Sequence, residues 1–554
     1  MQNIRQTARN QIISVVNNAI SSAGFESVPF AVETPRELSN GDFSVNAAML
    51  LAKSAKLPPR AVADKLAQFI CTKGTYIDRV EVAGPGFINF YLNNSWLYDV
   101  LPLVEDLKEN YGQTDIGSGE SIVVEFVSAN PTGPMHMGNA RGGALGDSMA
   151  NVLRFAGFDV TKEFYLNDSG NQIEKFACSL EARYLQQCGV EVPFDEEWYL
   201  GEDIIDRAKE FIAIHGDKYV NAPQDERKAA LTEFALEKNI GEMKKTLSDY
   251  RISYDVWYRE SDLYKSGEVD EVIRLLQEKG YTYKKDGALW FKASEDGEKD
   301  EVLIRANGVA TYFAADIAYH RNKFQKRGFD RAINIWGADH HGHVARMKSA
   351  MEALGVKPDR LEVVLMQLVR LMQGGEVARM SKRSGKAITL NVLLDEIGVD
   401  AARFFFNMRN AGSHFDFDLD LAVEQSNNNP VYYVQYAHAR ICSIIRLLAG
   451  DGIFVKNCGD IDISLLKEKE ELNLLRKIGE LPDEIALAAQ ALEPSRMTRY
   501  AIELANDFHS FYSACRVNVE DRQLCQARLK LIDAVRITLS NVLGIVGVDA
   551  PEKM

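Results

Sequence analysis

Val123-Val124-Glu125-Phe126-Val127-Ser128-Ala129-Asn130-Pro131-Thr132-Gly133-Pro134-Met135-His136-Met137-Gly138-Asn139 is the stretch that decides the reading of this chain. Its apolar first half has the composition of a buried strand, and its Pro- and Gly-punctuated middle that of a tight loop. Ala140-Arg141-Gly142-Gly143-Ala144-Leu145-Gly146-Asp147 then reads as a helix. A strand that hands His136 and Asn139 to the start of a helix builds a phosphate site. Unpaired backbone N–H groups and the positive end of the helix dipole sit there beside two hydrogen-bonding side chains. Taken alone, the pattern leaves a nucleotide site and an ordinary α/β loop with a capping His equally open.

A second segment far downstream decides between them: Arg379-Met380-Ser381-Lys382-Arg383-Ser384-Gly385-Lys386. A loop dense in cations suits a pyrophosphate leaving group. Lys382 can act as a mobile point charge on phosphate, and the neighbouring Ser and Gly let the loop close over it. Alone this run reads as a solvated basic surface loop; with the first segment it forms a pair.

Outward from these motifs, apolar strand-like runs alternate with helices from about 116 to 430. Ile122–Val127, Ile333-Asn334-Ile335-Trp336 and Val363–Leu368 are candidate buried parallel strands. The alternation predicts an α/β, doubly wound, Rossmann-like parallel sheet with ligands at the carboxyl ends of its strands. The span of about 170–300 is helical and charged, then strand-like at Ala288–Phe291, and reads as an insertion. Residues 1–115 mix helical periods with Glu81-Val82-Ala83 and Phe87–Leu92 around the breaker Gly84-Pro85-Gly86, a small α+β domain. After Asn427-Asn428-Asn429-Pro430 the character is nearly pure helix. Met497, Tyr500, Ala501, Leu504, Ala505, Phe508, Phe511, Tyr512 and Cys515 recur at helical spacing, predicting an α-helical bundle over 431–554.

Composition sets outer bounds. The 554 residues call for about two to four domains. No long apolar run points to a membrane span. Seven scattered cysteines without a Cys-x-x-Cys pair suit reduced thiols in a cytoplasm. The opening residues lack acids, as transit segments do, but Ile12, Val15, Val16 and Ile20 fit the apolar face of an ordinary helix. A formal net charge of −15 argues by itself against nucleic acid. Local basic runs, such as Arg321–Arg327 and the Lys382 loop, leave room for a phosphate-binding path whose affinity falls with salt.

The two motifs resemble the HIGH and KMSKS signatures of class I aminoacyl-tRNA synthetases. The longer context resembles arginyl-tRNA synthetases almost end to end. It includes Asn40-Gly41-Asp42-Phe43, Val82–Phe90, Asn130–Pro134, Tyr165–Gln172, Trp336–His343 and the tail Ala550–Met554. The resemblance implies ATP-dependent ligation of L-arginine to its cognate tRNA through an arginyl-adenylate, releasing AMP and diphosphate. Its domain order would be an additional tRNA-contacting domain over 1–115, a catalytic domain over 116–430 and an anticodon-binding domain over 431–554. It also implies ATP with Mg2+, tRNA(Arg), no protein-bound metal, no membrane, a cytoplasmic location and a monomer.

Site residues follow by position. The resemblance puts His136, Asn139 and Lys382 in catalysis, and Gly138, Arg379, Met380, Ser381 and Arg383 in the ATP and phosphate loops. Asn139 stands where the family usually has a second His, and Arg379 and Arg383 where the signature has Lys and Ser. Arginine binding falls to Ser128, Asn130, Tyr312, Asp316 and His340, and anticodon contact to Tyr512 and Met554. Physical chemistry supports part of this. A guanidinium presents a planar fork of donors and asks for a carboxylate in bidentate geometry. Tyr312 and Asp316, four apart, share one helix face. On the residues alone, an ion pair of Asp316 with Arg321 explains that aspartate equally well. Tyr512 reads equally as a core aromatic of its stripe or as a platform for an unpaired base. His340-His341-Gly342-His343 lacks further ligands at useful spacing for zinc. Another class I synthetase or a related nucleotidyltransferase, and a catalytically silent tRNA-binding paralogue, are the rival readings.

Overall fold

Both faces of the decisive strand are covered. Ile122, Val124 and Phe126 enter one apolar cluster and Val123 the opposite one, all fully buried. Successive side chains of a strand point to opposite faces, so a strand apolar at every position belongs inside a parallel sheet. In a computed structural model, which describes residues 3–35, 37–293, 300–378 and 388–554, this strand is the centre of five. They are β1 (Ser121–Glu125), β2 (Asp159–Leu166), β3 (Val256–Arg259), β4 (Arg331–Gly337) and β5 (Leu361–Met366). Their order is β5-β4-β1-β2-β3 and every neighbouring pair is parallel. The chain winds outward from β1 through β2 to β3, then returns to β4. The winding direction therefore reverses between β1 and β4, the point at which such sheets bind ligands.

Helices cover both faces. Gly138–Phe155 packs Ala140, Ala144, Leu145 and Met149 on one side. Tyr312–Arg321 and His341–Ala353 pack Phe313, Ile317, Met347 and Met351 on the other. The first helix lies very close to β1, because a Cβ on Gly146 would stand 2.2 Å from the Phe126 ring. No larger residue fits there without displacing the helix.

The span read as one insertion divides in three. Helices Asn171–Gln187, Glu202–His215 and Gln224–Asp249 share a separate core of Phe176, Tyr184, Phe211 and Leu231. The chain then rejoins the main sheet as β3, and Thr282–Lys285, Ala288–Phe291 and Glu301–Ile304 form a small antiparallel sheet. The strand β3 gave no signal because Val-Trp-Tyr-Arg is four residues long, half-buried and without an apolar run.

At the N-terminal end a four-stranded antiparallel sheet packs on helices Ile4–Ser22, Ala47–Ala55 and Pro59–Phe69. Its hairpin turns at Gly84-Pro85-Gly86 with Ala83 opposite Phe87. Ile12, Val16 and Ile20 are buried, as the periodicity required. At the other end, Asn429 caps the helix Pro430–Gly450 by accepting from the backbone N–H of Val431 at 3.1 Å, with Pro430 in the first turn. Lys469–Ala491, Ser495–Ala514 and Arg522–Ile545 complete an α-bundle whose core continues into one face of the five-stranded sheet.

Two polar clusters, one half-buried and one buried, tie these parts together. Asp483 of the bundle accepts from Arg5 Nε at 2.9 Å and Arg9 Nη2 at 2.8 Å, both from the first helix. Asp147 of helix Gly138–Phe155 accepts from Lys162 Nζ at 2.6 Å and Arg403 Nη2 at 2.5 Å. Arg403, fully buried, also donates to the carbonyls of Val546 at 2.8 Å and Tyr250 at 3.0 Å. Among the described residues no helix is long and apolar enough to cross a membrane. All seven cysteines are free.

Candidate active site

At the β1/β4 switch point the carboxyl ends of three strands open into a cavity of about 600 Å3. Glu125, Val127 and Ser128 come from β1 and its loop, Tyr165 and Asn167 from β2 and its loop, and Ile335, Trp336 and Gly337 from β4. The helices Tyr312–Arg321 and His341–Ala353 supply the far wall. The loop after β1 is strained there: Val127 has φ +69° and Ser128 φ +43°. A β-branched residue in the left-handed region is costly, so neighbouring bonds must hold it.

A continuous hydrogen-bond chain does so. Ser128 Oγ donates to Glu125 Oε1 at 3.0 Å and accepts from the Tyr165 N–H at 3.2 Å. The other carboxylate oxygen of Glu125 accepts from Lys323 Nζ at 2.6 Å, and Lys323 also donates to Asn334 Oδ1 at 3.0 Å. Asn334 Nδ2 donates to His320 Nε2 at 2.6 Å, and His320 Nδ1 donates to the Asp316 carbonyl at 2.7 Å. Lys323 reaches this position because the helix ends in a π-turn, Asn322–Lys326, closed by the Arg327 N–H on the Asn322 carbonyl. Such widened turns re-aim side chains at functional sites. Fully satisfied, the network fixes the strained loop relative to the helix that carries Asp316.

His320 is neutral in this chain of bonds. Burial, with the Lys323 charge beside it, pushes its imidazole down to about 3 from an ordinary 6.5. The unfolded chain therefore binds a proton here that the folded chain refuses. The stability tied to His320 is whole above about pH 6.5 and is lost as pH falls from there toward 3. His320→Gln is expected to flatten this part of the stability profile, read as the urea midpoint from pH 7 down to pH 4.

The far wall brings two predicted residues together. Tyr312 and Asp316 both line the cavity, one helical turn apart. Asp316 does not pair with Arg321, which bonds Glu271 at 2.9 Å and Gln325 at 2.8 Å instead. Its carboxylate accepts from His343 Nε2 at 3.1 Å. Tyr312 Oη accepts from the Asn171 N–H at 3.0 Å. Gly170, at φ +82°, makes room for that ring, since a Cβ there would lie 2.8 Å from the phenol oxygen. Ser128 and His340 also line the cavity. Asn130 is set back from it, its Nδ2 donating at 2.5 Å to Gln172, a lining residue. The sequence reading missed Glu125, Tyr165, Gln172 and His343. Only the length of the His340–His343 cluster hinted at the last.

His136, Gly138 and Asn139 stand outside the cavity lining, at the first turn of helix Gly138–Phe155, with His136 and Gly138 exposed. Asn139 Oδ1 accepts from the His136 N–H at 3.0 Å, which leaves its Nδ2 group to donate outward. This turn is stitched to the chain following the second motif. His136 bridges Thr389, the Met137 N–H donates to the Ile388 carbonyl at 3.2 Å, and the Leu390 N–H to the Met135 carbonyl at 2.9 Å. The first motif therefore meets residues Ile388–Leu390, which follow the second motif in the chain. Arg379, Met380, Ser381, Lys382 and Arg383 themselves lie outside the described residues.

In the bundle, the apolar stripe is buried at Met497, Tyr500, Leu504, Phe508 and Phe511, but Tyr512 is 38% exposed. Its hydroxyl accepts from Arg440, whose guanidinium lies 4.8 Å from the ring centre, so the core reading of Tyr512 fails. Met554 is also exposed.

Comparison with known proteins agrees with this layout. Three family descriptions match in chain order: "Arginyl tRNA synthetase N terminal domain" over residues 10–92, "tRNA synthetases class I (R), catalytic domain" over 103–440 and "DALR anticodon binding domain" over 434–554. The arginine–tRNA ligase of Ruminiclostridium cellulolyticum is 57% identical, covering 100% of this chain and 99% of that protein. The crystal structure of a putative arginyl-tRNA synthetase from Campylobacter jejuni superposes with a TM-score of 0.75 at 32% identity, over 84% of this chain and 100% of that one. Thermus thermophilus arginyl-tRNA synthetase shares the fold, with a TM-score of 0.75 at 21% identity over 99% of this chain and 100% of that one. The catalytic match alone spans more than half of the residues, and the curated relative spans all of them: the chain belongs to the class I arginyl-tRNA synthetases, the arginine–tRNA ligases.

Proposed function

We propose that the cavity at the β1/β4 switch point is where this arginine–tRNA ligase holds its amino acid, and that the adjoining helix turn holds ATP. The enzyme joins arginine to tRNA in two steps. The arginine carboxylate attacks the α-phosphate of ATP, giving arginyl-adenylate and diphosphate. The terminal adenosine hydroxyl of tRNA then takes the arginyl group and AMP leaves. Neither step needs a covalent enzyme intermediate, so rate comes from positioning and from charge stabilisation at phosphorus.

The observation that carries this reading is the pairing of Asp316 and Tyr312 on one wall of the cavity, with the His136–Asn139 turn bonded to Ile388–Leu390. Asp316 offers its carboxylate to the guanidinium and Tyr312 flanks it, while Ser128 and His340 face the backbone groups of the amino acid and Asn130 acts from behind them through its bond to Gln172. His136 and the Asn139 amide meet the triphosphate at the positive end of helix Gly138–Phe155, beside Gly138. Lys382, with Arg379, Met380, Ser381 and Arg383 beside it in the sequence, supplies positive charge to the diphosphate leaving group. Mg2+ arrives with ATP, whose phosphates supply most of its oxygen ligands.

The same reading assigns 1–115 to contact with the body of the tRNA, 116–430 to catalysis and 431–554 to the anticodon. There the exposed Tyr512 ring and Met554 meet unpaired bases. It places the enzyme in the cytoplasm as a monomer. The test is ATP–pyrophosphate exchange across the standard amino acids, with and without tRNA. Exchange is expected with arginine only, and only with tRNA present; exchange with another amino acid alone would refute it.

A further inference from the structure

We infer that His343 is a positioning residue for the amino-acid pocket: it pins the rotation of the Asp316 carboxylate so that both oxygens face an incoming guanidinium. The inference rests on the assignment of Asp316 to the arginine side chain and adds a residue to it. His343 lines the cavity, and its Nε2 lies 3.1 Å from Asp316 Oδ2. A carboxylate is acceptor-only, so the ring presents Nε2–H to it.

The two residues come from different elements, the helices His341–Ala353 and Tyr312–Arg321. The contact is therefore a tertiary brace and not a by-product of helical spacing. The ring is itself held: Phe313 packs edge-on with ring centres 5.6 Å apart, and Trp336 lies against it at 5.4 Å. Phe313 and Trp336 are anchored in turn, on the helix of Asp316 and at the carboxyl end of β4.

The physical need for such a brace is specific. The terminal torsion of an aspartate is broad, so an unbraced carboxylate samples many orientations. A bidentate guanidinium contact requires the two planes to coincide. An ionised carboxylate has about four lone-pair sites, so one bond to His343 leaves enough for both N–H groups of the fork. Bracing thus lowers the ordering cost of binding without consuming the acceptor. The backbone of Asp316 is fixed separately by His320 on its carbonyl, so His343 governs the side chain alone.

The test compares His343→Leu, His343→Gln and Asp316→Asn. Arginine KM, ATP KM and kcat are measured in tRNA charging, arginine affinity by calorimetry, and folding by thermal melting. His343→Leu is expected to weaken arginine binding about tenfold and raise its KM to match, with kcat and ATP KM within about twofold. His343→Gln, whose amide can still donate, is expected to recover arginine binding to within about threefold of the wild type. If His343→Leu leaves arginine KM unchanged while Asp316→Asn raises it, the bracing role is wrong and the pocket assignment stands. If both His343 variants lower kcat alike and spare arginine KM, the residue is structural and the inference is also wrong. If Asp316→Asn itself leaves arginine KM unchanged, the pocket assignment falls and takes the role of His343 with it.

Discussion

Asp316→Asn is expected to raise the KM for arginine about 100- to 1000-fold and to leave that for ATP within about twofold. The size corresponds to about 3–4 kcal/mol at about 1.4 kcal/mol per factor of ten, the middle of the range of about 2–5 kcal/mol for removing one member of a charge pair that forms inside a cavity. The substitution keeps the shape of the side chain and changes only its charge and one acceptor. The split follows from geometry. Asp316 lines the switch-point cavity, whereas the His136–Asn139 turn lies outside that lining on a different helix. Steady-state charging kinetics at saturating tRNA read both constants. A parallel rise in ATP KM would place Asp316 in a shared structural role instead.

Asp147→Ala produces the largest loss of stability expected here, about 3–5 kcal/mol, because it leaves two buried cations without a counter-charge. Lys162 and Arg403 both depend on this carboxylate, and their side chains are 6% and 0% exposed. Arg403 also bonds the Val546 and Tyr250 carbonyls, so the damage spreads to the end of the bundle and to the segment before β3. The midpoint of urea unfolding should fall accordingly. Per folded molecule, charging at low temperature should be retained, since none of these groups lines the cavity. A midpoint within experimental error of the wild type would refute the account of this cluster.

What the sequence made legible was whatever local pattern encodes. Residues apolar on both faces announced β1 and β4, helical spacing announced the stripe from Met497 to Phe511, and Asn429-Pro430 announced a helix start. Tyr312 and Asp316 were legible because four-residue spacing on a helix fixes a shared face. The parts that stayed hidden depend on contacts between distant segments. Nothing local marks Lys323 as a buried partner of Glu125, almost two hundred residues away in the chain. The positive φ of Val127 and Ser128 runs against their own preferences and is imposed by surroundings. Strand β3 was too short and too polar to declare itself, and the two readings of Asp316 separated only when Arg321 was found on Glu271. Tyr512 shows the same limit from the other side: a position on an apolar stripe at one helix end can still face solvent.

On the proposed function, the β1/β4 cavity holds arginine by its guanidinium. A crystal structure with bound arginine tests it most directly. The guanidinium fork is expected within hydrogen-bonding distance of both Asp316 carboxylate oxygens, with the Tyr312 ring beside it and Ser128 on the side of the backbone groups. Arginine bound with its guanidinium away from Asp316, or outside the switch-point cavity, would contradict it.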